Sequence, residues 1–270
     1  MQTNTIHFHA PRGIQSAALV ILGCLIIAVC IFHFIFGNPS NFMNNDPSNH
    51  PLPGNLAGTI YKGGIIVPVI LTLLFTVLVL SVERAFAIGK ARGKNKLPKF
   101  VRGIRAALDA KDLKKAEDLC LEQKGSVASV VYATLKKYAE MEQNDTLTKE
   151  QKLLNIQRAA EEATALEMPS LEQNLPIIAT MTTLGTLIGL LGTVVGMIRS
   201  FAALANAGAP DSVALSAGIS EALVNTAFGI LTGAFAVVSY NYFTSKIDQI
   251  TYAIDEVGFS LVQTYAAGHK

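Results

Sequence analysis

Residues 177–242 read IIATMTTLGTLIGLLGTVVGMIRSFAALANAGAPDSVALSAGISEALVNTAFGILTGAFAVVSYNY, which is two long apolar runs joined by a short turn. Glycine, threonine and serine recur along both runs, and Glu221 stands inside the second. An ionisable residue inside a membrane span is costly to bury and by default marks function. The stretch therefore predicts a transmembrane hairpin that carries the working site of the protein.

The composition is typical of a protein with several membrane spans. Half of the residues are hydrophobic, only 16% are charged, and the mean hydropathy is +0.38. Of the 22 lysines and arginines, 17 lie between positions 84 and 158, and loops rich in such residues stay in the cytoplasm. Acidic residues are interspersed in this segment without stacking aromatic residues, so we expect no nucleic-acid partner.

Two further uncharged runs predict two more spans, at residues 14–36 and 63–82. Each is long enough to cross a hydrocarbon layer of about 30 Å at about 1.5 Å per residue. A cleaved signal peptide is the alternative for the first run, but the run is long for such a peptide and no A-x-A site follows it. Residues 37–62 between them are rich in Asn, Pro, Ser and Gly, and we expect a periplasmic loop with no element of its own.

These runs divide the chain into five segments. They are an N-terminal arm, extra span and periplasmic loop (1–62), a second span (63–83), a helical cytoplasmic region (84–176), the hairpin (177–242) and a C-terminal cytoplasmic helix (243–270). The sequence thus predicts an all-α membrane protein with four transmembrane helices, a helical cytoplasmic extension and both termini in the cytoplasm.

The cytoplasmic region is predicted to be helical from its amphipathic pattern. Residues 107–143 form two helices divided at Lys124 and Gly125, and Asp109 and Ser126 are the expected N-caps. A third helix begins near Thr148, where Gln151 completes a capping box.

The third cytoplasmic helix is expected to run into the hairpin. Pro169 and Pro176 are interpreted as kinks, although a break is the alternative. Its later turns carry acidic residues that fit either a solvated face or an acidic ring below the membrane, namely Glu161, Glu162, Glu167 and Glu172.

The C-terminal segment carries an apolar seam with alternating spacings of 3 and 4 residues. Such a seam packs against another helix, here either the cytoplasmic helices or a second copy of the chain, and gives weak support to a homo-oligomer. Its members are Ile247, Ile250, Ile254, Val257 and Leu261.

The sequence contains no recognisable catalytic motif. Nucleotide-binding, zinc-protease and nucleophile-elbow patterns are absent, the five histidines are scattered, and the three cysteines form no paired motif. We therefore expect neither an enzyme nor a metal or other cofactor.

Polar side chains form one stripe on each helix of the hairpin, and glycines run beside both stripes. Residues at these spacings share one face of an α-helix, and glycines allow membrane helices to approach closely. The first stripe contains Thr182, Thr186, Thr193 and Ser200; the second contains Glu221, Asn225, Thr232 and Ser239, with Thr226 at its border. The glycines are Gly185, Gly189, Gly192 and Gly196 on the first helix and Gly229 and Gly233 on the second.

A single hydroxyl in a membrane helix can simply donate a hydrogen bond to a backbone carbonyl of its own helix. Two aligned polar stripes, however, favour an interior lined by water or by a partner helix. Arg199 lies about 33 Å along the helix from Ile177, at the outer interface, and we interpret it as a snorkelling side chain rather than a pore charge. Glu221 lies inside the membrane within reach of the outer surface.

The motifs TLIGLLGTVVGMIRSF and GISEALVNTAFGILTGAFAVVSYN, together with SVER at 81–84, resemble the ExbB/TolQ/MotA family, and most closely its ExbB and TolQ members. The resemblance covers residues 63–245. It implies a pentamer around single-span ExbD- or TolR-like partners that carry the titrating aspartate. It also implies that Thr193, Thr226 and Glu221 line the proton pathway, to which we add Asn225 and Thr186.

Some positions depart from the family pattern. Asn225 stands where a small apolar residue is common, Phe235 replaces a frequent proline, Val195 replaces a frequent tryptophan, and the span at 14–36 is additional. The amide of Asn225 would either tune hydration beside Thr226 or bind a neighbouring helix.

The resemblance implies an ExbB-like proton-channel subunit of an inner-membrane motor. With an ExbD-like partner it would harness the proton motive force to energise a TonB-like protein and thereby outer-membrane transport. The alternatives are a TolQ-like role in envelope integrity and division, and a passive scaffold whose polar stripes bind partner helices.

Overall fold

The computed structural model describes residues 16–206 and 212–268, and these residues are almost entirely helical. The N-terminal arm at 1–15 and the hairpin turn at 207–211 lie outside the described residues. The helices are α1 (Ala17–Cys30, continued by a π-helical turn Ile31–Phe36), α2 (Leu56–Tyr61), α3 (Ile66–Ala91), α4 (Leu97–Asp109), α5 (Leu113–Gln123), α6 (Gly125–Glu142), α7 (Lys149–Glu172), α8 (Leu175–Asn206) and α9 (Ser212–Gly268).

The chain forms two compact units. The first, here called the membrane unit, comprises Ser16–Val82 and Asn174–Asn241. The second, here called the extension unit, contains Glu83–Gln173 and the described residues from Tyr242 onward. The helices α3 and α9 contribute residues to both.

Four helical segments are long and apolar enough to cross a membrane, in agreement with the prediction of four spans. They lie within Ala17–Phe36, Ile66–Ala91, Lys149–Ala202 (which includes the break between α7 and α8) and Leu215–Gly268, and the mean hydropathy of their most apolar windows ranges from 3.0 to 1.7. A window with such hydropathy prefers hydrocarbon to water along its whole length.

The additional first span is part of the core of the membrane unit. Ala28 and Phe32 of the first span pack with Val67 and Leu71 of α3. Val224 and Phe228 of α9 pack against the same cluster, as do Phe36, Ile60, Tyr61 and Phe75. The apolar face of the first span therefore has partners within its own chain.

The prediction that residues 37–62 contain no element is wrong. The segment forms two 3₁₀ turns, Pro39–Asn41 and Met43–Asn45, and the short helix α2. Asn38 and Asn55 accept backbone hydrogen bonds at the starts of two of these elements, at 3.0 Å each. Asparagine is frequent in loops but is also a strong N-cap, so composition alone did not distinguish the two.

The extension unit contains one helix, α4, that the amphipathic pattern did not predict, and both expected N-caps are wrong. Asp109 is the last residue of α4, and the α5 cap is Asp112, whose carboxylate accepts a hydrogen bond from the Lys115 amide at 2.9 Å. Ser126 is buried in the first turn of α6. The division at Lys124 is confirmed, because Lys124 adopts φ 57° and interrupts the helix.

The helix predicted to begin near Thr148 is α7, and it begins with the predicted capping box. The backbone N–H of Gln151 donates to Thr148 Oγ1 at 3.4 Å, and the backbone N–H of Thr148 donates to Gln151 Oε1 at 3.0 Å.

The interpretation that this helix only kinks before the hairpin is wrong, because α7 ends at Glu172 and α8 starts at Leu175. Asn174 adopts φ 65° at the break. Pro176 follows in the first turn of α8, where its missing N–H has no helical acceptor to lose. Pro169 lies inside α7.

The C-terminal seam packs within its own chain. All five seam residues are at most 4% exposed, and they are Ile247, Ile250, Ile254, Val257 and Leu261. Around them, Arg105 of α4 forms an ion pair with Glu256 at 3.0 Å, and Tyr265 donates to the carbonyl of Met141 in α6 at 3.1 Å. Of the two alternatives, the structure therefore supports packing against helices of the same chain, here those of the extension unit.

Candidate functional site

The hairpin helices α8 and α9 approach backbone to backbone at their glycines. A Cβ on Gly229 would lie 2.7 Å from both the Gly185 carbonyl oxygen and Gly189 Cα. A Cβ on Gly196 would lie 2.8 Å from the Gly218 carbonyl oxygen, and one on Gly233 would lie 2.8 Å from Thr186 Oγ1. Only a hydrogen fits in these gaps, so the glycines set the distance between the helices.

Thr193 and Thr226 meet across this contact. Their hydroxyl oxygens are in direct hydrogen-bond contact, and either can be the donor. The Thr193 hydroxyl also reaches the Gly189 carbonyl at 3.3 Å, and the Thr226 hydroxyl reaches the Ala222 carbonyl at 3.1 Å. Because a hydroxyl both donates and accepts, the pair can reverse its hydrogen-bond direction without moving a heavy atom.

Asn225 is fully buried next to this pair. Its Nδ2 donates to the Gly63 carbonyl at 2.9 Å, which ties α9 to the turn before α3. Its Oδ1 has no hydrogen-bond partner among the described residues. The absence of a side chain at Gly192 provides space for the Asn225 side chain, since a Cβ at position 192 would overlap that side chain. The amide nitrogen thus binds the turn between α2 and α3 rather than a neighbouring helix, and the amide oxygen has no partner among the described residues.

Glu221 forms an ion pair that the sequence interpretation missed. Arg199 Nη1 donates to Glu221 Oε1 at 2.6 Å, so Arg199 is more than a snorkelling side chain. A signal existed, because Arg199 and Glu221 each lie 11 residues from position 210 and an antiparallel hairpin places such positions level with each other. Gly189 and Gly229 are each 20 residues from position 209, so their pairing follows this register to within one position.

The other predicted pathway residue, Thr186, is separate from the threonine pair. Its hydroxyl donates to the Thr182 carbonyl at 3.4 Å, and it lies beside Gly233. Ser200 donates across the hairpin to the Leu215 carbonyl at 3.2 Å. Among the described residues, no three His, Cys, Asp or Glu side chains are grouped to hold a metal ion.

The site is therefore a row of polar groups along one hairpin, with Arg199 and Glu221 at one level and Thr193 and Thr226 about 8 Å further along the helix axis. Both threonines are only half buried in the single chain, so another helix or water can reach them. Hydroxyls and a carboxylate inside an apolar hairpin mark a candidate functional site, and the fold and this site are those of a multi-pass helical membrane protein.

Comparison with known proteins identifies the family. The model of the MotA/TolQ/ExbB proton channel family matches residues 123–256, which include the hairpin and part of the extension unit. The chain belongs to this family of membrane proton channels, whose members are transport proteins of the inner membrane and not enzymes.

Individual relatives match over different lengths. The chain is 28% identical to the Tol-Pal system protein TolQ of Haemophilus influenzae over 73% of the chain and 87% of TolQ. It is 26% identical to TolQ of Pseudomonas aeruginosa over 71% of the chain and 84% of that protein. The biopolymer transport protein ExbB of Xanthomonas campestris is 26% identical over 43% of the chain and 46% of its own length. The expected preference for ExbB over TolQ stays open.

Proposed function

We propose that the hairpin of α8 and α9 forms the chain's side of a proton path in a pentameric inner-membrane motor. The contact between the hydroxyls of Thr193 and Thr226 is the observation that carries this proposal. A single-span partner of ExbD or TolR type would supply the carboxylate that is protonated and released. The half-exposed threonines would receive it, because a buried carboxylate needs hydrogen-bond donors.

Glu221 would serve proton uptake from the periplasmic side. It lies five residues before Thr226, and Asn225 with its free amide oxygen lies between them. A buried acceptor without a partner is a suitable place for a water molecule, which could connect the carboxylate to the threonine pair. Thr186 would extend the polar stripe beyond that pair.

The extension unit would lie in the cytoplasm, together with both termini. Most lysines and arginines of the chain fall in this unit, and the positive-inside rule supports this orientation. The segment containing α2 would then face the periplasm.

The mechanical output would act on a TonB-like protein that energises outer-membrane transport, as the motif resemblance suggests. A second role, in envelope integrity and division with a TolA-type protein, is supported by the longer matches to TolQ. If the chain is instead a passive scaffold, removing polar side chains from the hairpin should leave proton conduction unchanged.

The variants Glu221→Gln and Thr226→Ala test conduction. We expect both variants to assemble with the partner. The rate of proton uptake into dye-loaded vesicles that contain the complex should fall by about tenfold or more, since each substitution removes a side chain of the proposed proton path. Thr180→Ala is the matched control, because Thr180 is exposed and its hydroxyl bonds the Pro176 carbonyl of its own helix at 2.8 Å. Normal conduction in both test variants would support the scaffold instead.

The two motor roles are separated by deletion of the gene. Loss of growth on nutrients that need outer-membrane transporters, with normal detergent resistance, supports the TonB role. Detergent sensitivity and chained cells with normal nutrient uptake support the Tol role. Purification of the tagged chain should recover the corresponding single-span partner.

A further inference from the structure

The carboxylate of Glu221 is enclosed on several sides within the membrane unit. The residue is 6% exposed, and its Oε1 accepts the hydrogen bond from Arg199 at 2.6 Å. The Arg199 side chain is 54% exposed. The pair is therefore asymmetric: the carboxylate is buried, whereas the guanidinium reaches it from an accessible surface.

The turn before α3 closes another side of the carboxylate. Gly64 adopts φ 75°, which favours glycine, and a Cβ at this position would collide with Glu221 Oε1 and lie 3.3 Å from Arg199 Nη1. The neighbouring Gly63 carbonyl accepts the hydrogen bond from Asn225, one helical turn beyond Glu221. The glycine turn therefore holds α9 at the level of the ion pair.

The other cation in this region is engaged elsewhere. Lys62 directly precedes the turn, but its Nζ donates to the carbonyls of Pro47 and Ser48 at 2.9 and 3.0 Å. Among the ion pairs of the described residues, Glu221 has Arg199 as its partner. Among the described residues, the ion pairing of Glu221 thus depends on one side chain from the opposite hairpin helix.

We propose that Arg199 is a positioning residue, which holds Glu221 as a carboxylate against the Gly63–Gly64 turn and so controls when Glu221 can accept a proton. The inference rests on the proposed function, in which Glu221 takes up protons. A proton arriving from the periplasmic side would bind the carboxylate and abolish its attraction for the guanidinium. Arg199 would remain solvated because it is half exposed, and Glu221 would then be free to pass the proton toward Asn225 and Thr226.

Labelling with dicyclohexylcarbodiimide tests the pairing directly. This reagent modifies protonated carboxylic acids in apolar surroundings and spares carboxylates held in ion pairs. In membranes containing the chain with its partner, we expect Arg199→Gln to accelerate modification of Glu221 by about tenfold, since an unpaired buried charge is disfavoured. The conservative Arg199→Lys should label at close to the unaltered rate. Mass spectrometry locates the label, and Glu221→Gln must remove it.

An unchanged labelling rate in Arg199→Gln, or equal acceleration in Arg199→Lys, would overturn the inference and restore the snorkelling interpretation. The labelling result does not depend on conduction. If Glu221→Gln and Thr226→Ala both conduct normally, the proposed function fails, while the labelling still decides whether Arg199 and Glu221 are paired. If Arg199→Gln does not assemble, the double variant Arg199→Gln with Glu221→Gln decides. Pairing predicts that removing both charges restores assembly, and a double variant that also fails to assemble would contradict it.

Discussion

The buried side chain of Arg84 binds the C-terminal end of helix α7 in the extension unit. Its side chain is fully buried, and its guanidinium contacts the Glu83 carboxylate. Nη1 also donates to the carbonyls of Ser170 and Leu171, at 3.2 and 3.3 Å, in the last turn of α7. Carbonyls at a helix C-terminus lack intrahelical donors and carry partial negative charge, so a cation there satisfies both requirements.

Replacing Arg84 by Met should destabilise the full-length protein by about 3 kcal/mol, because two helix-end carbonyls lose their donor and the Glu83 carboxylate loses its contact with the guanidinium. Thermal denaturation of the detergent-solubilised protein measures the effect. Arg102→Met is the control, since the Arg102 side chain is exposed and contacts the Pro98 carbonyl of its own helix. Similar melting temperatures for the two variants would show that burial of Arg84 contributes little.

At the scale of elements, the pairing of α8 with α9 depends on glycines at matching levels. Gly189 and Gly229 face each other so closely that an added methyl group would meet backbone atoms, which cannot rotate away. Lipid offers no hydrophobic driving force between helices, so this close backbone contact is a main source of hairpin stability.

Gly229→Ala should therefore loosen the hairpin and cost about 1–3 kcal/mol, as overpacking does in other well-packed interiors. Gly23→Ala is the control, because nothing lies within 4 Å of a Cβ at position 23 of α1. Resistance of the hairpin to unfolding in increasing sodium dodecyl sulfate, followed by circular dichroism, compares the two. Equal resistance would mean that α8 and α9 do not need their close contact.

At the scale of the whole molecule, the extension unit should lose stability at alkaline pH. Burial raises the pKa of the Cys120 thiol from its ordinary value of 9.0 to about 12, with a smaller effect of Glu117. Burial also raises the pKa of Tyr138 to about 12, aided by Glu142. The pKa of Tyr265 is raised for the same main reason, and its hydroxyl donates to a backbone carbonyl.

The folded state keeps these groups protonated to a higher pH than the unfolded state does. Their contribution to the free energy of unfolding is therefore complete below about pH 9 and decreases as the pH rises toward about 12. We expect the melting temperature of the full-length protein to fall over this range. Tyr138→Phe should reduce the slope, since phenylalanine can retain the edge contact with the Tyr265 ring at 4.9 Å between centroids and does not titrate. An identical slope in this variant would exclude Tyr138 as a contributor.

The sequence by itself determined the features that depend on neighbouring residues along the chain. Hydropathy over about 20 residues predicted four helices suited to a membrane, because the transfer free energy of a span is a sum over its own residues. The capping box of Thr148 with Gln151 was equally local. Repeated spacing placed Thr193 and Thr226 on the inner faces of one hairpin, although their roles in conduction stay predictions.

Only the tertiary structure decided which distant groups meet. It paired Arg199 with Glu221, brought the Gly63–Gly64 turn against both Glu221 and Asn225, and chose intrachain packing for the seam of α9. The short helical elements within residues 37–62 could not be predicted from composition either, since asparagine is frequent both in loops and at helix N-caps. These outcomes depend on the register between segments far apart in sequence, and it is that register which determines where a buried charge or amide finds its partner.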